Sequence, residues 1–117
     1  MLNLQGLRLG MQSALGVYQN LHHPALARVE KINLADNQIT DGGMSSITTL
    51  LSQNPRINSL NLASNMISGE GLETCLPELI SNASLAHLDL GVVDSSVRKN
   101  SLGMQGAVCI SSLLMRN

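Results

Sequence analysis

Val29-Glu30-Lys31-Ile32-Asn33-Leu34, Ile57-Asn58-Ser59-Leu60-Asn61-Leu62 and Leu85-Ala86-His87-Leu88-Asp89-Leu90 are three versions of one pattern. Each reads aliphatic, two variable, aliphatic, variable, aliphatic. The copies start at 29, 57 and 85, a step of 28 residues both times. Leu2-Asn3-Leu4 matches Ile32-Asn33-Leu34 and forms a fourth copy whose front is missing. Alternating aliphatics mark a short strand with one buried face. A fixed period of this length is the signature of a stacked repeat architecture.

The residues that follow each copy also recur. Leu34 leads to Asn37, Ile39 and Gly42-Gly43; Leu62 leads to Asn65, Ile67, Gly69 and Gly71. After Leu90 the pattern is interrupted, then resumes at Asn100, Leu102, Gly103 and Gly106. Leu9-Gly10-Met11-Gln12 returns verbatim as Leu102-Gly103-Met104-Gln105. On these residues the chain resembles the ribonuclease-inhibitor-like class of leucine-rich repeats, with its LxxLxLxxNxL pattern, glycine-containing turn and helix. The resemblance runs over essentially the whole chain. It implies an α/β fold: a right-handed βα superhelix of about 3.5–4 repeats, parallel strands on the concave face and helices on the convex face. It says little about function, since one fold serves many partners.

The strand-turn-helix unit can be argued residue by residue. Asn37, Asn65 and Asn100 are placed to turn inward, where an amide can satisfy the backbone groups of its own turn and of the neighbouring coil as a ladder. Residues 41–53 put Met44, Ile47, Leu50 and Leu51 on one helical face, and residues 69–81 do the same with Leu72, Cys75, Leu76 and Leu79. Pro77 falls inside the second segment and should kink or restart it. Residues 103–115 should turn Ala107, Ile110, Leu113 and Leu114 inward, and residues 11–21 should turn Ala14, Val17 and Leu21 inward. One copy cannot bury its apolar face alone, and about three are needed. The chain is read as a single domain, 1–117, with repeats near 1–27, 28–55, 56–83 and 84–117. Neither end carries a polar capping unit, so it is expected to be a fragment of a longer solenoid, or to self-associate through its uncapped ends.

Composition agrees with thin aliphatic layers. Hydrophobic residues make up 44% of the chain, yet Tyr18 is its one aromatic. Net charge is −1, with no basic run, so neither nucleic acid nor an anionic membrane is an expected partner. No apolar run approaches the ~20 residues of a membrane span, and no secretory leader is apparent. The two cysteines, Cys75 and Cys109, sit at inward helical positions and read as buried free thiols. That reading points to a cytoplasmic, intracellular setting, where the Asn82-Ala83-Ser84 sequon has no role.

The expected partner is a protein. The concave positions are Asn3 and Gln5, then Lys31, Asn33 and Ala35, then Ser59, Asn61 and Ala63, then His87, Asp89 and Gly91. Lys31, Asn33, Ser59, Asn61, His87 and Asp89 are the candidate contacts. A second candidate is the rim loop at 91–99, with Asp94, Arg98 and Lys99, where Asn100 follows Leu90 at an offset of ten positions instead of three. No enzyme, metal or cofactor reading finds support. His22 and His23 are adjacent and point apart. Asp89 could orient His87, but no nucleophile accompanies them. No cysteine and histidine spacing suits zinc, and Gly42-Gly43 and Gly69-Glu70-Gly71 are turn glycines of the repeat. Three roles fit the resemblance: a scaffold or adaptor, a regulator of a Ran-like small GTPase, or the sensor portion of a larger receptor or of a cytoskeletal or ciliary assembly. The GTPase-activating members are markedly acidic beyond their repeats, and this chain is not.

Overall fold

The computed structural model describes residues 2, 3, 5, 29–54, 56–82, 84–91 and 99–116. The helix expected over 11–21, with Ala14, Val17 and Leu21, lies outside them. Among the described residues the strands are β1 (Leu2–Asn3), β2 (Lys31–Asn33), β3 (Ser59–Asn61) and β4 (His87–Asp89). The helices are α1 (Met44–Gln53), α2 (Gly69–Ser81) and α3 (Gly103–Arg116). A short 3-10 turn, Asp41–Gly43, leads into α1. The strands form one open parallel sheet in chain order, β1-β2-β3-β4.

The register follows the sequence repeat. Ile32 lies beside Leu60, and Leu60 beside Leu88; Asn33, Asn61 and Asp89 form the neighbouring row. At the front Leu2 pairs with Ile32 and Asn3 with Asn33. Parallel strands need a long crossover, and here each crossover is a turn plus a helix. α2 packs against both α1 and α3. The described residues form an open parallel βα solenoid.

The core between sheet and helices is aliphatic. Ile32, Leu34, Ile39, Met44, Ile47, Leu50 and Leu51 close one layer, and Ile57, Leu60, Leu62, Ile67, Leu72, Cys75 and Leu79 close the next, all at most 3% exposed. Fully burying one such side chain contributes about 1.5–3 kcal/mol, so each layer has a substantial apolar term to set against chain entropy. α2 starts on Ser68, whose hydroxyl accepts from the Glu70 amide, with the Glu70 charge in the first turn.

Two expectations about the helices need correction. α2 does not restart at Pro77; it runs through to Ser81. Pro77 is exposed and withholds only its own amide from the Glu73 carbonyl, while α1 and α3 hold the helix on both sides. Ala107 is not inward but exposed, and among the described side chains of α3 Gly106 and Cys109 are the buried ones. The periodicity finds the face that a following coil would cover; among the described residues no element packs beyond α3. The side chains of Leu113 and Leu114 lie outside the described set.

Candidate protein-binding face

Alternation along each strand sends Ile32, Leu60 and Leu88 into the core and their neighbours outward. Two rows therefore cross the sheet. One is Lys31, Ser59 and His87; the other is Asn3, Asn33, Asn61 and Asp89. Lys31, His87 and Asp89 are exposed, and Ser59, Asn33 and Asn61 are half-buried. Between the last two strands lies a shallow depression of about 400 Å³, bordered by Ser59, Leu60, Asn61 and residues 87–90.

The two rows do different work. In the second row each side-chain oxygen accepts the backbone amide two residues on. Asn3 takes that of Gln5 at 3.1 Å, Asn33 that of Ala35 at 3.0 Å, Asn61 that of Ala63 at 3.0 Å and Asp89 that of Gly91 at 2.8 Å. These Asx-turns end each strand and swing the chain toward its helix. Asn33 also donates its amide to Gln5 Oε1 at 3.0 Å. So three of the six candidate contacts, Asn33, Asn61 and Asp89, make turns as well as facing outward. The signal was in the sequence: an Asn or Asp at the last strand position of every copy. The same turns correct Ala35 and Ala63. Both were expected on the surface, but they are 0% and 4% exposed, because the strand stops before them and they fold inward.

The first row is unengaged. Among the described residues, no side-chain hydrogen bond or ion pair involves Lys31, Ser59 or His87. The row offers an ammonium, a hydroxyl and an imidazole across neighbouring strands. It has no buried polar atom left without a partner, and among the described residues no three His, Cys, Asp or Glu side chains converge as metal ligands.

Beneath the face runs the asparagine ladder. Asn65 Oδ1 accepts from the Asn37 amide at 2.9 Å and the Ile39 amide at 3.2 Å, and its Nδ2 donates to the Leu34 and Ala63 carbonyls. Asn100 Oδ1 accepts from Asn65 and Ile67, and its Nδ2 donates to the Leu62 and Leu90 carbonyls, both at 3.0 Å. Asn37 donates to the Leu34 and Ala35 carbonyls. Asn65 and Asn100 thus each tie their own turn to the preceding coil. The Asn100–Leu90 bond has a second effect, since it pins together the two ends of the rim loop. Within that loop Asp94 and Arg98 lie outside the described residues, and Lys99 is exposed.

The chain matches a family model described as Leucine Rich repeat at residues 29–47 and 53–74. No curated protein is similar to it in sequence. Among solved structures, one titled leiomodin-1 actin-binding site 2 is similar, with a TM-score of 0.66 and 19% identity, covering 98% of this chain and 78% of that one. At that identity the likeness is one of fold. Among the described residues no helix is long and apolar enough to cross a membrane.

Proposed function

We propose, since the chain is a leucine-rich-repeat protein, that it holds another protein against its strand face and does no chemistry of its own. The observation that carries this reading is the Lys31–Ser59–His87 row. Three polar side chains stand in register on adjacent strands, without internal partners, beside a depression that a protruding partner side chain can enter. The Asx-turn row and the ladder beneath hold the backbone of that face still, which lowers the ordering cost of binding. Exposed Lys99, at the end of the rim loop, offers a second contact. Two free thiols fit an intracellular setting.

The chemistry of the row suits a partner surface of mixed polarity, with carboxylate or carbonyl acceptors facing Lys31 and His87. Actin is the first partner to test, because the similar solved structure is titled as an actin-binding site. The experiment is co-sedimentation with filamentous actin, together with pull-down of partners from cell extract. It compares the wild-type chain with Ser59→Arg/His87→Glu, which leaves every Asx-turn intact. Capture lost in the variant, with an unchanged circular dichroism spectrum, supports the strand face. Equal recovery by both proteins overturns it.

A further inference from the structure

We propose that the depression over the β3–β4 junction receives an arginine side chain of the partner protein, with the Asp89 carboxylate as its counter-charge. The assignment rests on the strand face being the face that binds, and it names what the partner brings there.

The depression opens on the strand face. Ser59, Asn61, His87 and Asp89 border it, and all four belong to the outward rows, with Ser59 beside His87 and Asn61 beside Asp89. At about 400 Å³ it admits one long side chain.

Its charge is not explained by the fold. The last strand position of the copies reads Asn3, Asn33, Asn61 and then Asp89. All four side chains use one oxygen for one task, accepting the backbone amide two residues on. An amide oxygen performs that task in the other copies, so the turn does not call for a carboxylate. What Asp89 adds is a second oxygen, Oδ2, and a full negative charge. Among the described residues the Gly91 amide on Oδ1 is the only hydrogen-bond partner of this side chain, and no cation pairs with it. Lys31 stands two strands away and two residues back. That is roughly 10 Å across the sheet and 7 Å along it, beyond the ~8 Å over which charges act in physiological salt. The depression therefore holds an uncompensated negative charge, and its complement is a cation.

The placing of the acceptors selects which cation. Asp89 on β4 and the Ser59 hydroxyl on β3 stand diagonally across the junction, roughly 8 Å apart at Cα. A guanidinium directs its five donors outward from a flat fork and can serve acceptors on both strands, whereas an ammonium donates from a single point. Lys31, at the far end of the same diagonal, calls for an acidic or carbonyl group. A partner docked in the reverse direction would set like charges together at both ends, so the pair fixes orientation as well as affinity.

Titration of the isotope-labelled chain with three blocked tripeptides, followed by NMR, tests the subsite. The central residue is arginine in the first, citrulline, its uncharged isostere, in the second, and lysine in the third. The arginine peptide should shift the backbone amides of Ser59, Asn61 and Gly91 saturably, and bind more weakly as salt is raised. Asp89→Asn installs the residue that the other copies carry, so the Asx-turn is kept. Its affinity for the arginine peptide should fall about fivefold, the upper range for an exposed ion pair. No saturable shift in the wild type, equal binding by Asp89→Asn, or equal binding of the citrulline peptide overturns the proposal. Equal binding of the lysine peptide overturns arginine as the occupant. The strand face itself is scored separately, by running Asp89→Asn in the capture experiment beside Ser59→Arg/His87→Glu. Capture lost in both variants supports the subsite. Capture that survives Asp89→Asn but not the double variant removes the arginine subsite and leaves the strand face standing. Capture that survives both removes the face.

Discussion

The Asp41 carboxylate of one coil closes the helix N-terminus of the next. Its Oδ1 accepts the Ser68 amide at 2.7 Å and its Oδ2 accepts the Ser68 hydroxyl at 2.5 Å. Ser68 in turn caps α2 through the Glu70 amide, so a single carboxylate sets the distance between two coils. Gly71 makes room for it, since a Cβ there would overlap Asp41 Oδ1.

A double-mutant cycle should expose this coupling. Asp41→Ala leaves a half-buried amide and hydroxyl without their acceptor and should cost about 1–3 kcal/mol. Gly71→Ala in the native background should also destabilise, despite the roughly 1 kcal/mol that alanine gains over glycine inside a helix. With Asp41 already truncated the collision is gone, and Gly71→Ala should become neutral or stabilising. Urea unfolding of the four proteins measures the coupling. Additive effects would mean that Gly71 and Asp41 do not share the space.

The ladder should be less tolerant. Asn65→Ala removes two acceptor and two donor bonds at a fully buried site. The loss should be on the order of 3 kcal/mol or more, a large part of the 5–15 kcal/mol that holds an ordinary domain. Asn100→Ala breaks the same number of bonds, but at a half-buried corner where water can replace them. Its loss should be smaller. Equal unfolding midpoints for the two variants would show that burial does not set the cost.

The strand register and the span of α2 were legible because a 28-residue step fixes both. Periodicity names a face, though not whether a neighbour will cover it, which is why Ala107 reads as core and stands exposed. Ala35 was misplaced by extending strand alternation beyond Asn33, where the Asx-turn had already ended it. The turn-making role of Asn61 went unread because an outward amide on a strand and a turn-making amide have the same sequence signature. The Asp41–Ser68 link was invisible, since it joins positions 27 residues apart by side-chain geometry that no spacing rule encodes.

Thr40 offers a stabilising change. Its backbone sits at φ 61, ψ 176, a region essentially restricted to glycine, and its side chain caps nothing. The equivalent position in the last coil, three residues beyond Asn100, is Gly103 at φ 59. Thr40→Gly removes strain of about 1–3 kcal/mol and adds about 0.5–1 kcal/mol of unfolded-state entropy. The net gain should be near 1 kcal/mol, about 4–8 °C in Tm for a domain of this size. The amide that donates to the Asn65 carbonyl is kept. Calorimetry decides it: an unchanged or lowered Tm would mean that Thr40 is relaxed where it stands.

Cys75 gives the fold a dependence on alkaline pH. Burial pushes its thiol pKa up, the Thr48 hydrogen bond draws it partly back, and the Glu78 charge acts with burial. In the unfolded chain the thiol ionises near pH 8.5, while in the fold it keeps its proton to higher pH. Below the unfolded value both states are protonated and pH has no effect through this group. Above it the unfolded chain binds fewer protons, so stability falls as pH rises through the unfolded thiol range. The urea midpoint should therefore decline between about pH 8 and pH 10, and the decline should flatten in Cys75→Ala even though that variant starts lower from its cavity. A thiol reagent at neutral pH should leave Cys75 unmodified until the chain unfolds. Cys109, 4% exposed against 1% for Cys75, should react first. Rapid native-state labelling of Cys75 would show that its layer opens more readily than its 1% exposure implies.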